Sequence, residues 1–163
     1  MKRVEANDPV AMYQMGSCCS DKGDYKTASV YWTKAAALGE VGAHYQLSVM
    51  YTEGVGVEKD KKKGVYHLEQ AAIGGDPDAR HNLGVIENDN GRYERAAKHF
   101  IIAAKLGCDN SLDALKGGFK GGIVTKDDLT AALRGHQAAI DAAKSPQRDE
   151  AEAVCKFIGE RRN

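Results

Sequence analysis

Five histidines, four cysteines and two glycine-rich stretches carry whatever reactive chemistry this chain has. His44, His67, His81, His99 and His136 are of a type that titrates near neutral pH and ligates metals. No two of them stand one helical turn apart, and no carboxylate recurs at a fixed spacing beside them, so surface or half-buried histidines are expected. Cys18, Cys19, Cys108 and Cys155 show no CxxC spacing and no paired framework, which points to reduced thiols rather than a zinc ribbon or a disulfide scaffold. Lys116-Gly117-Gly118-Phe119-Lys120-Gly121-Gly122 shares only its glycine content with a phosphate cradle. No strand pattern precedes it and no Gly-Lys-Ser/Thr follows, so it reads as a worn-out helix end. Gly54 and Gly56 read as a turn between two helices. Lys59, Lys61, Lys62 and Lys63 interleave with Glu58 and Asp60, as at a solvated helix start. Nothing resembles a Gly-x-Ser-x-Gly elbow. No catalytic residue, metal site or cofactor is therefore expected.

The chain has 163 residues, with 23 basic side chains against 23 acidic ones. Zero formal charge argues against nucleic acid as a partner, because neutralising many phosphates needs a clear excess of Lys and Arg. Apolar runs are far shorter than the roughly 20 residues a bilayer requires, and none of signal-peptide length follows Met1-Lys2-Arg3-Val4-Glu5. The expectation is a soluble, cytoplasmic protein, monomeric or weakly self-associating, with no membrane partner. Few prolines and abundant alanine point to an all-helical chain.

The elements that position these residues repeat. Ala11-Met12-Tyr13-Gln14-Met15-Gly16 matches Ala43-His44-Tyr45-Gln46-Leu47-Ser48 and Ala79-Arg80-His81-Asn82-Leu83-Gly84, at offsets of 32 and 36 residues. A second block, Ala28, Trp32, Ala35, Ala36 and Gly39, recurs as Gly64, Leu68, Ala71, Ala72 and Gly75, then as Ala96, Phe100, Ala103, Ala104 and Gly107. Its spacing of i, i+4, i+7 and i+8 lies on one helix face, so each repeat is a helical hairpin. Asp8-Pro9 and Asp76-Pro77 supply an N-cap oxygen and a proline at the first helical position. Gly39, Gly75 and Gly107 fall where second helices must stop. Repeat two is longer within Glu53-Gly54-Val55-Gly56-Val57-Glu58-Lys59-Asp60, an insertion that a connecting loop tolerates cheaply.

Downstream the pattern decays. Ser111 to Lys116 aligns with the first block, and Thr125-Lys126-Asp127-Asp128 has the form of a capping box. Leu129, Leu133, His136 and Ile140 then mark an amphipathic helix. Ser145-Pro146 opens a last one with Ala151, Val154, Cys155 and Ile158 on its apolar face. The expected organisation is one domain over 1–163. Its repeats lie at about 8–39, 40–75 and 76–107, followed by a degenerate fourth at 108–144 and a C-terminal capping helix at 146–160. Met15, Leu47, Leu83, Trp32, Leu68, Phe100 and the paired alanines are the expected core.

Ala43, Leu47, Tyr51, Gly54-Val55-Gly56-Val57, Asp60, Lys63, Ala71-Ala72 and Gly75 resemble the Sel-one-like repeat, a branch of the tetratricopeptide-like superhelices. Ser48, Gly64 and His67 depart from the family's preferences. Repeats one and three have shorter turns, closer to the tetratricopeptide pattern. The overall wording also resembles modules fused to a RING domain in protist proteins. A family branch linked to antibiotic-ring binding carries paired cysteines in each repeat, which this chain lacks. The resemblance implies a right-handed alpha-alpha superhelix of helix-turn-helix repeats. It implies, too, a non-catalytic scaffold whose concave face, lined by first helices, holds a protein or peptide partner.

Tyr13, Tyr45 and His81 occupy one repeat position and so form a ladder along that face. Rigid planar side chains deliver large contact area at low entropic cost, which makes them candidate anchors, with Tyr45 the central rung. The alternative for the same ladder is packing on the neighbouring repeat. Ser17, Val49, Thr52, Val85, Asn88 and Asp89 share the face by helical spacing. Against the scaffold stand two other readings: a ligand-binding or hydrolytic enzyme on the same fold, and a self-assembling structural element.

Overall fold

The computed structural model describes residues 8–160, with side chains over 8–144. Eight α-helices and no strand occur among the described residues: α1 (Pro9–Asp21), α2 (Tyr25–Ala37), α3 (Val41–Glu53), α4 (Lys61–Ile73), α5 (Pro77–Asp89), α6 (Tyr93–Lys105), α7 (Asp109–Lys120) and α8 (Lys126–Glu160). Helices α1 to α6 are each 13 residues long, about 20 Å of axial rise. They pair as hairpins, and each second helix packs on the first helix of the next hairpin. The result is an all-α solenoid.

Local chemistry sets the helix ends. Asp8 Oδ1 accepts from the Val10 and Ala11 amides at 3.0 and 3.3 Å, and Asp76 Oδ1 from the Ala79 amide at 2.7 Å. Asp24 and Asp60 cap α2 and α4 in the same way. Each such cap contributes about 1 kcal/mol. The second helices end before Gly39, Gly75 and Gly107, whose φ values of 87°, 92° and 96° lie in the left-handed region that glycine enters without a Cβ penalty. The longer loop of repeat two is tied down by the Asp60 amide, which donates to the Tyr51 carbonyl at 2.8 Å, and by Val57, packed against the first core cluster.

Inside each hairpin a small residue on the first helix faces a large one on the second. A Cβ built on Gly16 would lie 2.5 Å from the Trp32 ring, and one on Gly84 would lie 2.6 Å from the Phe100 ring. Repeat two carries Ser48 and Leu68 at these two positions, both buried. The paired alanines, Ala35 and Ala36, Ala71 and Ala72, Ala103 and Ala104, are buried throughout.

Three expectations need correction. Met15 is 37% exposed, although Leu47 and Leu83 at the same repeat position are 0% and 8% exposed. Among the described residues no helix precedes α1, so nothing covers Met15 as α2 and α4 flank Leu47. Leu133 is exposed, and Ala132 takes the inward position. The boundary at Ser145-Pro146 does not exist: α8 continues through it to Glu160 as a 35-residue helix. Proline there removes a single amide donor, and the alanine- and glutamate-rich sequence on either side has high helix propensity. The apolar face assigned to Ala151, Val154, Cys155 and Ile158 lies outside the described side chains.

The Thr125 capping box forms, with Thr125 Oγ1 accepting from the Asp128 amide at 3.1 Å. Its helix, α8, packs more on α6 than on α7. A separate core cluster, Ala96, Phe100, Ala104, Leu112, Leu115, Val124 and Ala132, joins α6 to α7 and α8. His136, buried on α8, bonds through Nε2 to Asp109 Oδ1 at 2.7 Å in the first turn of α7.

Candidate interaction groove

Two adjoining hollows open along α3, α5 and α7. The smaller, about 270 Å³, lies between α3 and α5, with Val49, Thr52 and Glu53 on one side and Asn82, Val85 and Ile86 on the other. The larger, about 460 Å³, is walled by His81, Val85 and Asn88 of α5, by Tyr93, Ala97 and Phe100 of α6, and by Ala114, Leu115, Gly117 and Gly118 of α7. Ile123 and Val124 close its far end. Val85 belongs to both and is exposed, as is Val49. The lining of both hollows is mainly apolar, with a few polar side chains such as Thr52, Asn82, His81 and Asn88, the composition of sites that bind by burial and orient by a few hydrogen bonds.

Of the residues singled out from the sequence, Val49, Thr52, His81, Val85 and Asn88 meet in these hollows. Tyr13, Ser17, Tyr45 and Asp89 line neither. Each rung of the ladder reaches to the next first helix instead. Tyr13 lies against the backbone of α3, where a Cβ on Gly42 would stand 3.1 Å from its ring. The Tyr45 hydroxyl accepts from Asn82 Nδ2 of α5 at 3.4 Å, and its ring packs on the Leu68 cluster. His81 Nδ1 is 2.8 Å from the buried Ser111 hydroxyl of α7, with its ring centroid 5.3 Å from that of Phe100. Burial pushes the His81 pKa below the ordinary histidine value, and Asp78 pulls weakly the other way. Ser17 donates to the Tyr13 carbonyl within α1 at 3.2 Å, while Asp89 is exposed at the end of α5.

Sequence reasoning missed the α6 and α7 walls. The glycine-rich stretch gave the signal, because α7 continues through Gly117 and Gly118 to Lys120 and presents bare backbone at Gly117, while Val124 fills the space beside Gly118. Gly117 has nothing within 4 Å of its absent side chain. Of the lysine cluster, Lys61, Lys62 and Lys63 form the first turn of α4, capped by Asp60, and Lys59 precedes the cap. Glu87 receives Arg92 and Arg95, and the Arg92 bond holds its carboxyl below the usual range. Cys18, Cys19 and Cys108 are free thiols. Among the described residues, no group of three or more His, Cys, Asp or Glu side chains is placed to hold a metal ion, and no helix is long and apolar enough to cross a membrane.

The Sel1 repeat pattern matches residues 9–40, 41–76 and 77–108. An uncharacterized protein of Neisseria meningitidis serogroup B is 35% identical over 68 residues, 40% of this chain and 15% of that protein. The crystal structure of a Sel1 repeat protein from Oxalobacter formigenes is similar at a TM-score of 0.67 and 32% identity, over 85% of this chain and 60% of that one. That of c5321, a protective antigen of uropathogenic Escherichia coli displaying an SLR fold, is similar at 0.68 and 26%, over 86% and 32% respectively. The chain thus spans less than two thirds of the length of each of these relatives.

Proposed function

The chain belongs to the Sel1 repeat family, whose members generally act as protein-interaction scaffolds, and from that premise we propose that it is a non-catalytic adaptor holding a partner's peptide or helix in the groove of α3, α5 and α7. The observation that carries this reading is the pair of apolar hollows that share Val85. An apolar anchor seated over Val85 would be shielded from water on both sides, which is where binding energy concentrates. Val49, Thr52, His81 and Asn88 supply the surrounding contacts. Tyr13 and Tyr45 act from beneath, fixing the spacing between first helices. The finer resemblance, to modules of RING-fused protist proteins, belongs to the same proposal and rests on the wording of the sequence.

The test is Val85→Asp. A carboxylate on this exposed site changes folding stability by only about 0.5 kcal/mol. Buried under a partner it weakens binding at least about tenfold. Wild type and variant are used to capture partners side by side, and the affinity of a recovered protein is then measured for each. Equal affinity for both would overturn the groove, and recovery of the chain itself as the partner would favour self-assembly.

A further inference from the structure

Repeat two contains a joint that none of the groove residues explains. His44 of α3 and His67 of α4 face each other with their Nδ1 atoms 3.0 Å apart. Tyr51 of α3 stacks parallel on the His67 ring at 5.6 Å, with an interplanar angle of 1°. Tyr66 of α4 meets the same ring edge-on at 5.2 Å. Lys63, one turn before His67, holds its ammonium 5.4 Å from the centre of the Tyr51 ring. The rings are thus fixed by neighbours on both helices of the hairpin.

Two imidazole nitrogens at hydrogen-bond distance need one N–H and one bare lone pair. A neutral pair meets this with one ring as the Nδ1–H tautomer and the other as Nε2–H. Adding one proton preserves it, since an imidazolium still donates to a neutral neighbour. A second added proton leaves two N–H groups and two positive charges facing each other. We propose that His44 and His67 form a proton-counting joint, which holds α3 on α4 with up to one added proton and opens with the second.

The surroundings favour the closed form. Burial, the positive charge on a protonated His44 and Lys63 all push the His67 pKa below the ordinary 6.5. Burial lowers that of His44 as well, and the Ala36 carbonyl near the end of α2 opposes it weakly. From α3 and α4 the other facing groups are the Tyr51 and Tyr66 rings. No carboxylate of α2, α3, α4 or α5 acts on either histidine among the described residues. Below pH 6.5 the unfolded chain therefore takes up protons that the folded pair resists, so stability falls as pH drops from 6.5 toward the depressed folded values.

Histidine NMR titration with parallel melting, from about pH 7.5 to about pH 5, tests the joint. In wild type the pair should take up its protons in two separated steps. The second step should coincide with shifts of the Tyr51 and Tyr66 ring signals, and most of the drop in melting temperature should come between pH 6.5 and that step. His67→Gln keeps a hydrogen-bonding side chain without a titrating one. In that variant His44 should titrate in one step and the acid-induced drop in melting temperature should shrink. His81 and His99, also depressed by burial, should titrate as in wild type. Independent single-step titration of both histidines in wild type would overturn the proposal, as would an equal acid-induced drop in wild type and His67→Gln. Should His67→Gln fail to fold, the wild-type titration and His44→Gln decide it.

Discussion

Helices α5–α6 and α7–α8 are both two-helix units, and only the first closes as a hairpin of the regular kind. In α5 the residue facing its partner is Gly84, and the Phe100 ring fills the space that a side chain would take. At the same register α7 carries Lys116, which is exposed and paired with Asp113 at 2.8 Å. A helix lying along that face as α6 lies along α5 would have to strip water from both charges of this exposed pair, a cost that favours another seat for α8. It shifts to α6, placing Ala132 in the last core cluster and His136 on the start of α7. The same shift leaves Gly117 bare and the larger hollow open beside it. One degenerate position thus separates a packing unit from a cap and, on the proposal made above, creates the wider half of the groove.

The strongest way to break the comparison is to remove the cap. Truncation after Gly107 deletes Leu112, Leu115, Val124 and Ala132 and uncovers Phe100, Ala96 and Ala104. Stability in a repeat stack is a sum of repeat and interface terms, so the shortened chain should melt well below wild type and aggregate through its new apolar end. Scattering and thermal melting read this directly. A monomeric chain over 1–107 with unchanged melting would show that α7 and α8 are not a cap.

A smaller effect is expected inside the regular repeat. Gly84→Ala drives a methyl group into the Phe100 ring and should destabilise by about 1–3 kcal/mol, the usual range for overpacking a filled core. Chemical denaturation measures it. A loss under about 0.5 kcal/mol, no more than an ordinary surface change, would mean that the ring moves aside freely.

The smallest effect has the opposite sign. Gly117→Ala adds a methyl where nothing lies within 4 Å, in a helical segment. It should stabilise by up to about 1 kcal/mol, the helix-propensity difference between the two residues. The same denaturation assay on both variants sharpens the contrast, because one glycine is required by a neighbour and the other is not.

Much of the fold was legible before any coordinates, because its signals are local. Asp-Pro pairs start helices, glycines end them, and the alanine spacing marks a buried face, each through forces acting within one or two turns. The candidate site was legible only in part. Helical geometry put Val49, Thr52, His81, Val85 and Asn88 on a shared side, and these residues line the two hollows, while the same geometry selected Tyr13 and Tyr45, which turn into the seams between repeats. Which of two neighbours on one face points outward depends on how far away the next first helix stands, and periodicity does not carry that distance.

The sequence by itself determined the repeat phase, the hairpin ends and the identity of the small residues that let helices approach. Tertiary structure alone decided the exposure of Met15, the continuity of α8 through Pro146, its preference for α6, and the meeting of His44 with His67 across 23 residues. The physical reason is range. Caps and turns are settled by atoms a few residues apart, whereas burial and pairing between helices are settled by what is packed alongside, and that depends on the whole stack.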